Sequence, residues 1–210
     1  YMLKKNNIKI LLTFLILSIL SVSILYISNK AIFTGEDLSF HKARISGLAE
    51  AFQNGNYIPK INYDYLEGFG YATSLFYSDF FLVLPALLVV FGLTLSQTYI
   101  VFSIITTFLT FIISYYVRLS VDKKESNSFI FSLLYTFSTY RLTDVYYRVA
   151  VGEYLAMMVL PIAFYGLYNI IYKDANKWHY LTLGMVSLLL SHLISALMFY
   201  IFGRSNKELS

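Results

Sequence analysis

Six apolar runs and one long polar stretch dominate the pattern along the chain. Runs of about 20 apolar residues are long enough to cross a bilayer as helices. The shortest run is brief for a span and needs flanking residues to complete one. The pattern predicts an all-α polytopic membrane protein with five to six hydrophobic helices. The runs cover residues 8–28, 76–95, 97–117, 127–140, 153–172 and 180–202, and the polar stretch covers 29–75.

Composition supports this prediction. Hydrophobic residues make up 58% of the 210-residue chain, and charged residues make up 13%. A soluble domain carries about a quarter charged residues, and a disordered chain is more polar still. Cysteine is absent, and the net charge of +4 comes without a basic cluster. These numbers exclude an ordinary soluble domain and give no sign of a nucleic-acid partner.

The distribution of basic residues predicts the topology. Lys4 and Lys5 precede the first run, which predicts an uncleaved anchor with a cytoplasmic N-terminus. When the long 29–75 loop is left out of the count, eight Lys and Arg lie inside and four outside if 76–95 does not cross, and seven lie inside and five outside if it crosses. The first case fits the positive-inside rule better. Asp79 and Pro85 also interrupt 76–95 and make it a poor span.

We therefore expect five crossings, with a pair of juxtamembrane helices in a first external loop at 29–96. A second external loop is expected at 141–152, and 118–125 is expected in the cytoplasm. Residues 1–202 form one transmembrane domain, and 203–210 form a polar tail where a longer protein could be truncated. Six crossings remain the alternative.

The densest cluster of ionisable residues begins the polar stretch. A helix starting near Glu36 places Asp37, His41 and Arg44 on one stripe, beside a stripe of apolar residues. The apolar stripe contains Leu38, Ile45, Leu48 and Phe52, and Asn54-Gly55 ends the helix. The pattern predicts an amphipathic helix on the membrane surface. A carboxylate there could act as a base and an arginine could bind phosphate, or the acidic residues could simply favour a helix start.

A second polar cluster joins two apolar runs. It contains Arg141, Asp144, Tyr147, Arg148 and Glu153. The arginines could hold a lipid-linked phosphate and the tyrosine could stack on a sugar. Ordinary interfacial anchoring is the alternative, because arginine and tyrosine favour membrane boundaries.

Two further features carry candidate residues. Tyr71 belongs to a stretch rich in tyrosine and glycine, which fits either a ligand-binding loop or an interfacial hairpin. His192 lies inside the run 180–202, where an ionisable group indicates either function or hydrogen-bonded helix packing.

Several of these residues resemble the bacterial YfhO-like membrane proteins of the C-type (GT-C) glycosyltransferase superfamily. The similarity covers roughly residues 5–200. It is carried by Asp37-Leu-Ser-Phe-His41 with Arg44 and Gly55, Gly68-Phe-Gly-Tyr71, Leu75-Phe-Tyr77, Pro85, Gly92, Tyr140-Arg141, and the stretch from Arg148 through Gly152-Glu153 to Met157. Members of that family are usually longer, with more spans.

The resemblance implies a membrane enzyme that transfers a sugar from a polyprenyl-phosphate donor to a cell-surface polymer such as teichoic acid. It implies Asp37, Asp144 and Glu153 as catalytic residues. Substrate would be bound by His41, Arg44, Tyr71, Arg141, Tyr147, Arg148 and His192. The chemistry requires no cofactor, although some members use Mg²⁺ or Mn²⁺. A lipid-linked sugar transporter or flippase subunit and a truncated, non-catalytic membrane protein are the alternatives.

Overall fold

A computed structural model describes residues 5–23, 35–63, 65, 66 and 68–207. Within this part of the chain the regular elements are all helices, so the predicted all-α class is confirmed. The helices are α1 Lys5–Ser23, α2 Leu38–Gln53, α3 Val83–Val90, α4 Leu95–Asp122, α5 Glu125–Thr136, α6 Thr139–Thr143, α7 Val151–Tyr172, α8 Trp178–Ser191 and α9 Leu193–Lys207. A π-helical turn, Asp144–Arg148, joins α6 to the segment before α7.

Two of the described helices, α4 and α7, are long and apolar enough to cross a membrane. Helix α5 has 12 residues, which rise about 18 Å, against about 30 Å for the hydrocarbon core. The count of five to six crossings therefore stays a prediction. The end of the run 8–28 and the cytoplasmic N-terminus lie outside the described residues.

The run 76–95 forms a short helical segment. Its apolar helix covers Phe80–Val90, which rises about 16 Å and is too short for a span. This agrees with the expectation that the run does not cross. Asp79 lies just before this segment and pairs with Arg44 of α2, with 2.6 Å between Oδ1 and Nη2.

Helix α4 is longer than the run 97–117 because its ends carry specific caps. The Thr94 side chain accepts a hydrogen bond from the Gln97 amide, and the Gln97 side chain accepts one from the Thr94 amide. This capping box satisfies two amides that would otherwise lack partners. The helix ends at Lys123, whose φ of 61° lies in the left-handed region.

The run 180–202 is not one helix, which corrects the prediction. The backbone of His192 is extended, and it separates α8 from α9. Helix α8 runs antiparallel to α7, with Gly184 against Ala163 and Gly166 against Leu181. Helix α9 then returns along α7, because Gly203 lies against Leu167. The chain therefore reverses direction at His192.

Helix α2 packs against α3 and α4, and its position at a membrane surface stays a prediction. His41 and Arg44 are buried on the same side as Leu38, Ile45 and Leu48. Two residues of the predicted polar edge, His41 and Arg44, are therefore buried together with the adjoining apolar stripe. The predicted helix end at Asn54-Gly55 is confirmed, with Gly55 at φ 78°.

Helices α4 and α7 run parallel, so the molecule has two distinct ends. Phe102 contacts Tyr154 towards one end, and Arg118 shares a groove with Tyr168 towards the other. The start of α2, the π-turn, the start of α7 and the break at His192 all gather at the first end. We call this first end the cavity end, because a cavity opens there.

Candidate functional site

A cavity of about 440 Å³ opens at the cavity end. Its walls come from the start of α2, the segment before α7, and the α8–α9 break. They are formed by Asp37, Phe40, His41, Tyr77, Tyr140, Arg148, Ala150, Gly152, Glu153, His192, Ile194, Ser195 and Met198. Asp37 and residues of the loop 141–152 therefore line one cavity, and Arg148 faces it.

Backbone hydrogen bonds fasten the two loops together. The Glu36 amide donates to the Tyr147 carbonyl at 3.3 Å, and the Asp37 amide donates to the Arg148 carbonyl at 3.0 Å. Gly35 allows this approach, because a Cβ there would lie 3.0 Å from the Val149 Cβ. The backbone of Asp37 is thus placed relative to that of Arg148 by main-chain hydrogen bonds.

The backbone that presents Arg148 is unusual. Asp144–Arg148 forms a π-helical turn, and Val149 follows with a φ of 58°. This conformation is costly for a β-branched residue, and both features occur preferentially at functional sites. The Asp144 carbonyl stabilises the turn by accepting a hydrogen bond from the Ala150 amide at 3.0 Å.

Two carboxylates hold the Arg148 side chain. Its Nη1 lies 2.8 Å from Asp144 Oδ1 and its Nη2 lies 2.7 Å from Glu153 Oε1. Nη1 also donates to Glu153 Oε2 at 3.0 Å, so Glu153 is gripped by both arms of the guanidinium. The Tyr140 hydroxyl donates to the same Glu153 oxygen. The hydrogen bond to Glu153 raises the pKa of Arg148, which keeps it cationic.

Asp144 is buried behind Arg148 and does not line the cavity. Burial, helped by the charge of Glu153, raises the pKa of the Asp144 carboxyl. The structure therefore places Asp144 where it orients Arg148 and gives it no access to the cavity. The catalytic role expected from the sequence does not fit this position.

Asp37 is the acidic residue of the cavity that has no partner. Its side chain makes no capping bond to α2 and no ion pair or hydrogen bond with any residue that the structure describes. It is exposed at the cavity wall. It lies one turn before His41 on the same helix, as predicted, whereas Arg44 turns away to Asp79.

The two histidines of the cavity are both buried. His41 is 3% exposed, and burial together with the charge of Arg44 lowers its pKa to about 3. The His192 Nδ1 lies 2.8 Å from the Ser195 hydroxyl, across the helix break. Tyr77 stands beside His192, with 6.2 Å between the ring centroids.

Arg44 and Arg141 do not reach the cavity, which corrects their predicted role as substrate ligands. Arg44 binds Asp79, and its guanidinium lies 5.2 Å from the Tyr77 ring centroid. Arg141 is 1% exposed and donates to the Thr136 carbonyl in the last turn of α5, at 3.4 Å. Burial lowers the pKa of Arg141 to about 10. Both arginines stabilise the fold around the site, because each satisfies a buried acceptor.

Tyr71 and Tyr147 also lie outside the cavity wall. Tyr71 stacks on Tyr65 at 5.3 Å and contacts Phe40, so it stands behind one wall residue. The Tyr147 side chain is largely exposed, and only its carbonyl takes part, through Glu36. Direct substrate contact by either ring is not supported by the cavity's walls.

Sequence reasoning missed several wall residues. Phe40, Ser195 and Met198 carry no signal that separates them from ordinary apolar or small residues of a helix. Tyr77 belongs to the predicted tyrosine-rich stretch, and Tyr140 and Gly152 belong to the second polar cluster, but none of the three was predicted as a wall residue. Gly152 allows His192 and Tyr77 to pack closely against the start of α7, since a Cβ there would lie 3.2 Å from His192 Cδ2 and 3.3 Å from Tyr77 Cε1.

The cavity has an excess of negative charge. Asp37 and Glu153 line it with the single cation Arg148, and Asp144 lies behind. Within the described residues no three His, Cys, Asp or Glu side chains are grouped as metal ligands. The Mg²⁺ or Mn²⁺ used by some GT-C members therefore finds no ligand set in this part of the chain. The arrangement combines a free base with a fixed hydrogen-bond donor.

Comparison with known proteins gives one relevant match. An uncharacterized protein of Lactococcus lactis subsp. cremoris (strain MG1363) is 27% identical over 203 residues, which is 92% of this chain and 32% of that protein. The chain spans about a third of the length of the curated relative it matches. No family profile and no solved structure matches the sequence. The function is therefore argued from the cavity.

Proposed function

We propose that this chain forms the cavity of a membrane glycosyltransferase of the GT-C type, which transfers a sugar from a polyprenyl-phosphate donor to a cell-surface polymer or lipid. The observation that carries the proposal is Asp37, whose unpaired carboxylate lines the same cavity as Arg148 and whose backbone amide is bonded to the Arg148 carbonyl. The resemblance to YfhO-like proteins supports it. So does the position of the cavity at one end of the two helices that are able to cross a membrane.

In the proposed reaction Asp37 takes the proton of an acceptor hydroxyl. That oxygen forms a bond to the anomeric carbon of the donor sugar, while the bond from this carbon to the phosphate oxygen breaks. The polyprenyl phosphate leaves with the electron pair. A carboxylate is a suitable base here, because the hydroxyl loses its proton only as the new bond forms.

In this scheme Arg148 donates hydrogen bonds to the departing phosphate. A guanidinium has five N–H donors, and the carboxylates use three of them. The remaining donors and the exposed part of the side chain are available to the cavity. Since the carboxylates outnumber this cation, phosphate recognition rests on directed hydrogen bonds and not on net positive charge.

The proposal includes an orientation. The cavity end would face the outside of the cell membrane, and the end with 118–125 would face the cytoplasm. The polyprenyl tail would lie in the bilayer beside the cavity, where the exposed side chains of Ile194 and Met198 form the apolar part of the wall. The N-terminus would be cytoplasmic in a multi-pass arrangement.

The decisive test replaces Asp37. Membranes of cells that produce the protein receive a polyprenyl-phosphate hexose carrying tritium in the sugar, and release of label from the lipid is measured. Asp37→Asn should lower turnover by at least about 100-fold, the usual contribution of a general base, while donor binding is kept. Glu36→Gln is the matched control, because this neighbouring carboxylate does not line the cavity.

Three outcomes separate the alternatives. Loss of turnover in Asp37→Asn alone supports the transferase. Donor movement across the membrane that is indifferent to Asp37→Asn identifies a lipid-linked sugar carrier. Neither turnover nor transport in the native protein identifies a non-catalytic membrane protein, and the proposal then fails.

A further inference from the structure

Two apolar grooves lie at the end of the molecule opposite the cavity end. The first has a volume of about 180 Å³ and lies between α4, α5 and α7, where Arg118 and Phe131 are among its walls. The second has a volume of about 210 Å³ and lies between α7 and α9, where Phe202 closes it. Phe164 and Tyr168 line both grooves. The two grooves therefore lie side by side, separated by a ridge on α7.

The second groove follows one face of α7. Its residues on that helix recur every three or four positions from Phe164 to Tyr172, which is the spacing of one helical stripe. Eight residues of α-helix rise about 12 Å, and half of the hydrocarbon core is about 15 Å thick. Helices α4 and α7 are the described helices that are long and apolar enough to cross a membrane. The groove therefore has the length and direction of an acyl chain in one leaflet.

Aromatic rings mark the level at which this end meets water. Between ring centroids, Tyr168 lies 5.9 Å from Tyr172 and Tyr165 lies 4.9 Å from Tyr180. Trp178 is exposed beside them at the start of α8. Tyrosine and tryptophan favour the membrane–water interface, where the head groups of lipids lie. In a membrane-spanning arrangement the grooves therefore begin at the head-group level and continue into the hydrocarbon.

Basic side chains outnumber acidic ones at this same end. Arg118 lines the first groove with its side chain 40% exposed, and Lys173 directly follows Tyr172 of the second groove. The turns 118–125 and 173–177 and the returning end of α9 contribute Arg118, Lys123, Lys124, Lys173, Lys177 and Arg204. Their acidic residues are Asp122, Glu125 and Asp174. The four lysines make no ion pair with any residue that the structure describes. We call this end the basic end.

Arg118 has hydrogen-bond donors left for a ligand. Its Nη2 donates to Asp122 Oδ2 at 2.7 Å, which is one bond for a group with five N–H donors. Asp122 also accepts hydrogen bonds from the Lys124 amide and the Asn127 side chain, so its charge is shared among three donors. A guanidinium matches the oxygens of a phosphate because its N–H groups form a planar fork.

The charges favour one occupant of the grooves over the others. Two copies of the chain inserted in the same orientation would bring basic end against basic end, and like charges repel. A free phosphate ion would use Arg118 but leave the apolar grooves empty. An anionic phospholipid uses both features, and basic pockets between membrane helices bind the head groups of such lipids.

We propose that the two grooves hold the acyl chains of an anionic phospholipid of the bilayer, with its phosphate bound by Arg118 at the basic end. The neighbouring lysines add attraction for a head group of net negative charge. The site goes beyond the proposed function, because it lies at the other end of α4 from the cavity and requires no reaction. Bulk phospholipid is in large excess over any polyprenyl phosphate, so it occupies this site when both are present.

The first test compares lipids of different charge. Native mass spectrometry of the full chain in detergent micelles counts the retained lipids as dioleoyl phosphatidylglycerol or dioleoyl phosphatidylcholine is added. The native protein should retain one phosphatidylglycerol at a concentration at least about 10-fold lower than it needs for phosphatidylcholine. Equal retention of the two lipids would show an unselective lipid layer and overturn the proposal.

Two variants of opposite sign test the role of Arg118. Arg118→Gln should weaken retention of phosphatidylglycerol at least about 10-fold, whereas Asp122→Asn should keep or strengthen it by removing a negative charge and freeing Arg118. If the pair only stabilises the end of α4, both variants weaken retention alike, and the proposal fails. Lys60→Gln is the control, because this exposed lysine lines neither groove. Unchanged retention in a folded Arg118→Gln protein, checked by thermal melting, also overturns the proposal.

A larger side chain tests the grooves themselves. Val121→Trp narrows the first groove and should weaken retention of phosphatidylglycerol at least about 10-fold by displacing methylene groups. Ile130→Trp is the matched control, because Ile130 is an exposed apolar residue of α5 that lines neither groove. Equal retention in the Val121→Trp and Ile130→Trp proteins would overturn the assignment of the acyl chains.

Two further outcomes identify other occupants. If glycerol 3-phosphate binds as tightly as phosphatidylglycerol, the site recognises a free phosphate compound and the lipid proposal is wrong. If Val121→Trp lowers the molecular mass measured by light scattering and leaves lipid retention unchanged, a second copy of the chain covers the groove and the proposal is again wrong. None of these measurements depends on turnover, so this proposal and the proposed function can fail separately.

Discussion

Arg148 differs from the buried arginines Arg44 and Arg141 in where its donors point. It meets Asp144 and Glu153 at the edge of a cavity, whereas Arg44 turns to Asp79 and Arg141 turns to the end of α5. All three have the same charge and similar neighbours in sequence. Each arginine turns towards the acceptor that lies near it in the folded chain, and only the acceptors of Arg148 lie at the cavity.

The position of Arg148 leads to a prediction about donor binding. Arg148→Ala should weaken retention of a radiolabelled polyprenyl phosphate at least about 10-fold, because it removes the donors and leaves two carboxylates facing the phosphate. Arg148→Lys should restore only part of this retention, since an ammonium group lacks the planar, forked arrangement of N–H donors that a guanidinium offers to phosphate. Arg118→Ala, at the opposite end of α4, is the control. Equal retention in all four proteins would show that Arg148 only supports the loop.

His41 leads to a prediction about pH. Its pKa is lowered to about 3 in the folded state, so between about pH 6.5 and pH 3 the unfolded chain binds a proton that the folded chain does not. Stability is therefore complete above pH 6.5 and falls on acidification, by up to about 1.4 kcal/mol per pH unit. His41→Asn should show a smaller drop in melting temperature between pH 7 and pH 5 than the native protein.

Comparing the native protein with His41→Asn isolates the contribution of His41, because the other titrating groups are common to both proteins. Asp144 acts in the opposite sense, since burial raises its pKa, but its contribution cancels in the difference. His179→Asn serves as the control and should keep the native drop. If His41→Asn also keeps it, His41 is protonated in the folded protein.

Among the elements, the packing of α8 against α7 depends most clearly on the size of the residues between them. A Cβ at Gly166 would lie 2.5 Å from the Leu181 Cα, whereas at Gly203 its nearest neighbour would be 3.7 Å away. Gly166→Ala should therefore destabilise the protein by about 1–3 kcal/mol through overpacking, although alanine is the better helix former. Gly203→Ala should be neutral or slightly stabilising. Thermal melting in detergent measures both, and equal melting temperatures would show that α8 shifts freely.

The elements were predictable to different degrees. Asn54-Gly55 marks the end of α2 in the sequence, and the Thr94–Gln97 pair marks the start of α4. The break at His192 has no such mark, because it contains neither glycine nor proline and sits inside a continuous apolar run. Its extended backbone is set by contacts with α7 and Ser195, which are distant or tertiary features.

The candidate site was also only partly predictable from the sequence. Helical spacing was sufficient to place Asp37 and His41 on one face, and both line the cavity. The spacing could not show whether that face turns inward. The resemblance implied Asp144 as a catalytic residue, but the structure buries its carboxylate behind Arg148, which compensates its charge from the cavity side.

At the scale of the whole molecule, the opposite ends of α4 make topology testable. The chain contains no cysteine, so single-cysteine variants report one position each. Thr143→Cys, near the cavity, should react with a membrane-impermeant maleimide in intact cells, and Ser126→Cys should react only after permeabilisation. Both side chains are exposed, so burial does not confuse the result. Labelling of Ser126→Cys in intact cells would reverse the proposed orientation.

The two main-chain hydrogen bonds that join Glu36 to Tyr147 and Asp37 to Arg148 also impose an order on biogenesis. Their partners are separated by about 110 residues, which a ribosome needs about 5 to 20 s to add. Asp37 therefore leaves the ribosome long before the segment that fixes it. We expect a Glu36→Cys/Tyr147→Cys crosslink in stalled nascent chains only once residues beyond Arg148 have emerged. During synthesis the first loop must stay unattached while α3 to α6 are made, so the cavity forms late, as a single closing step.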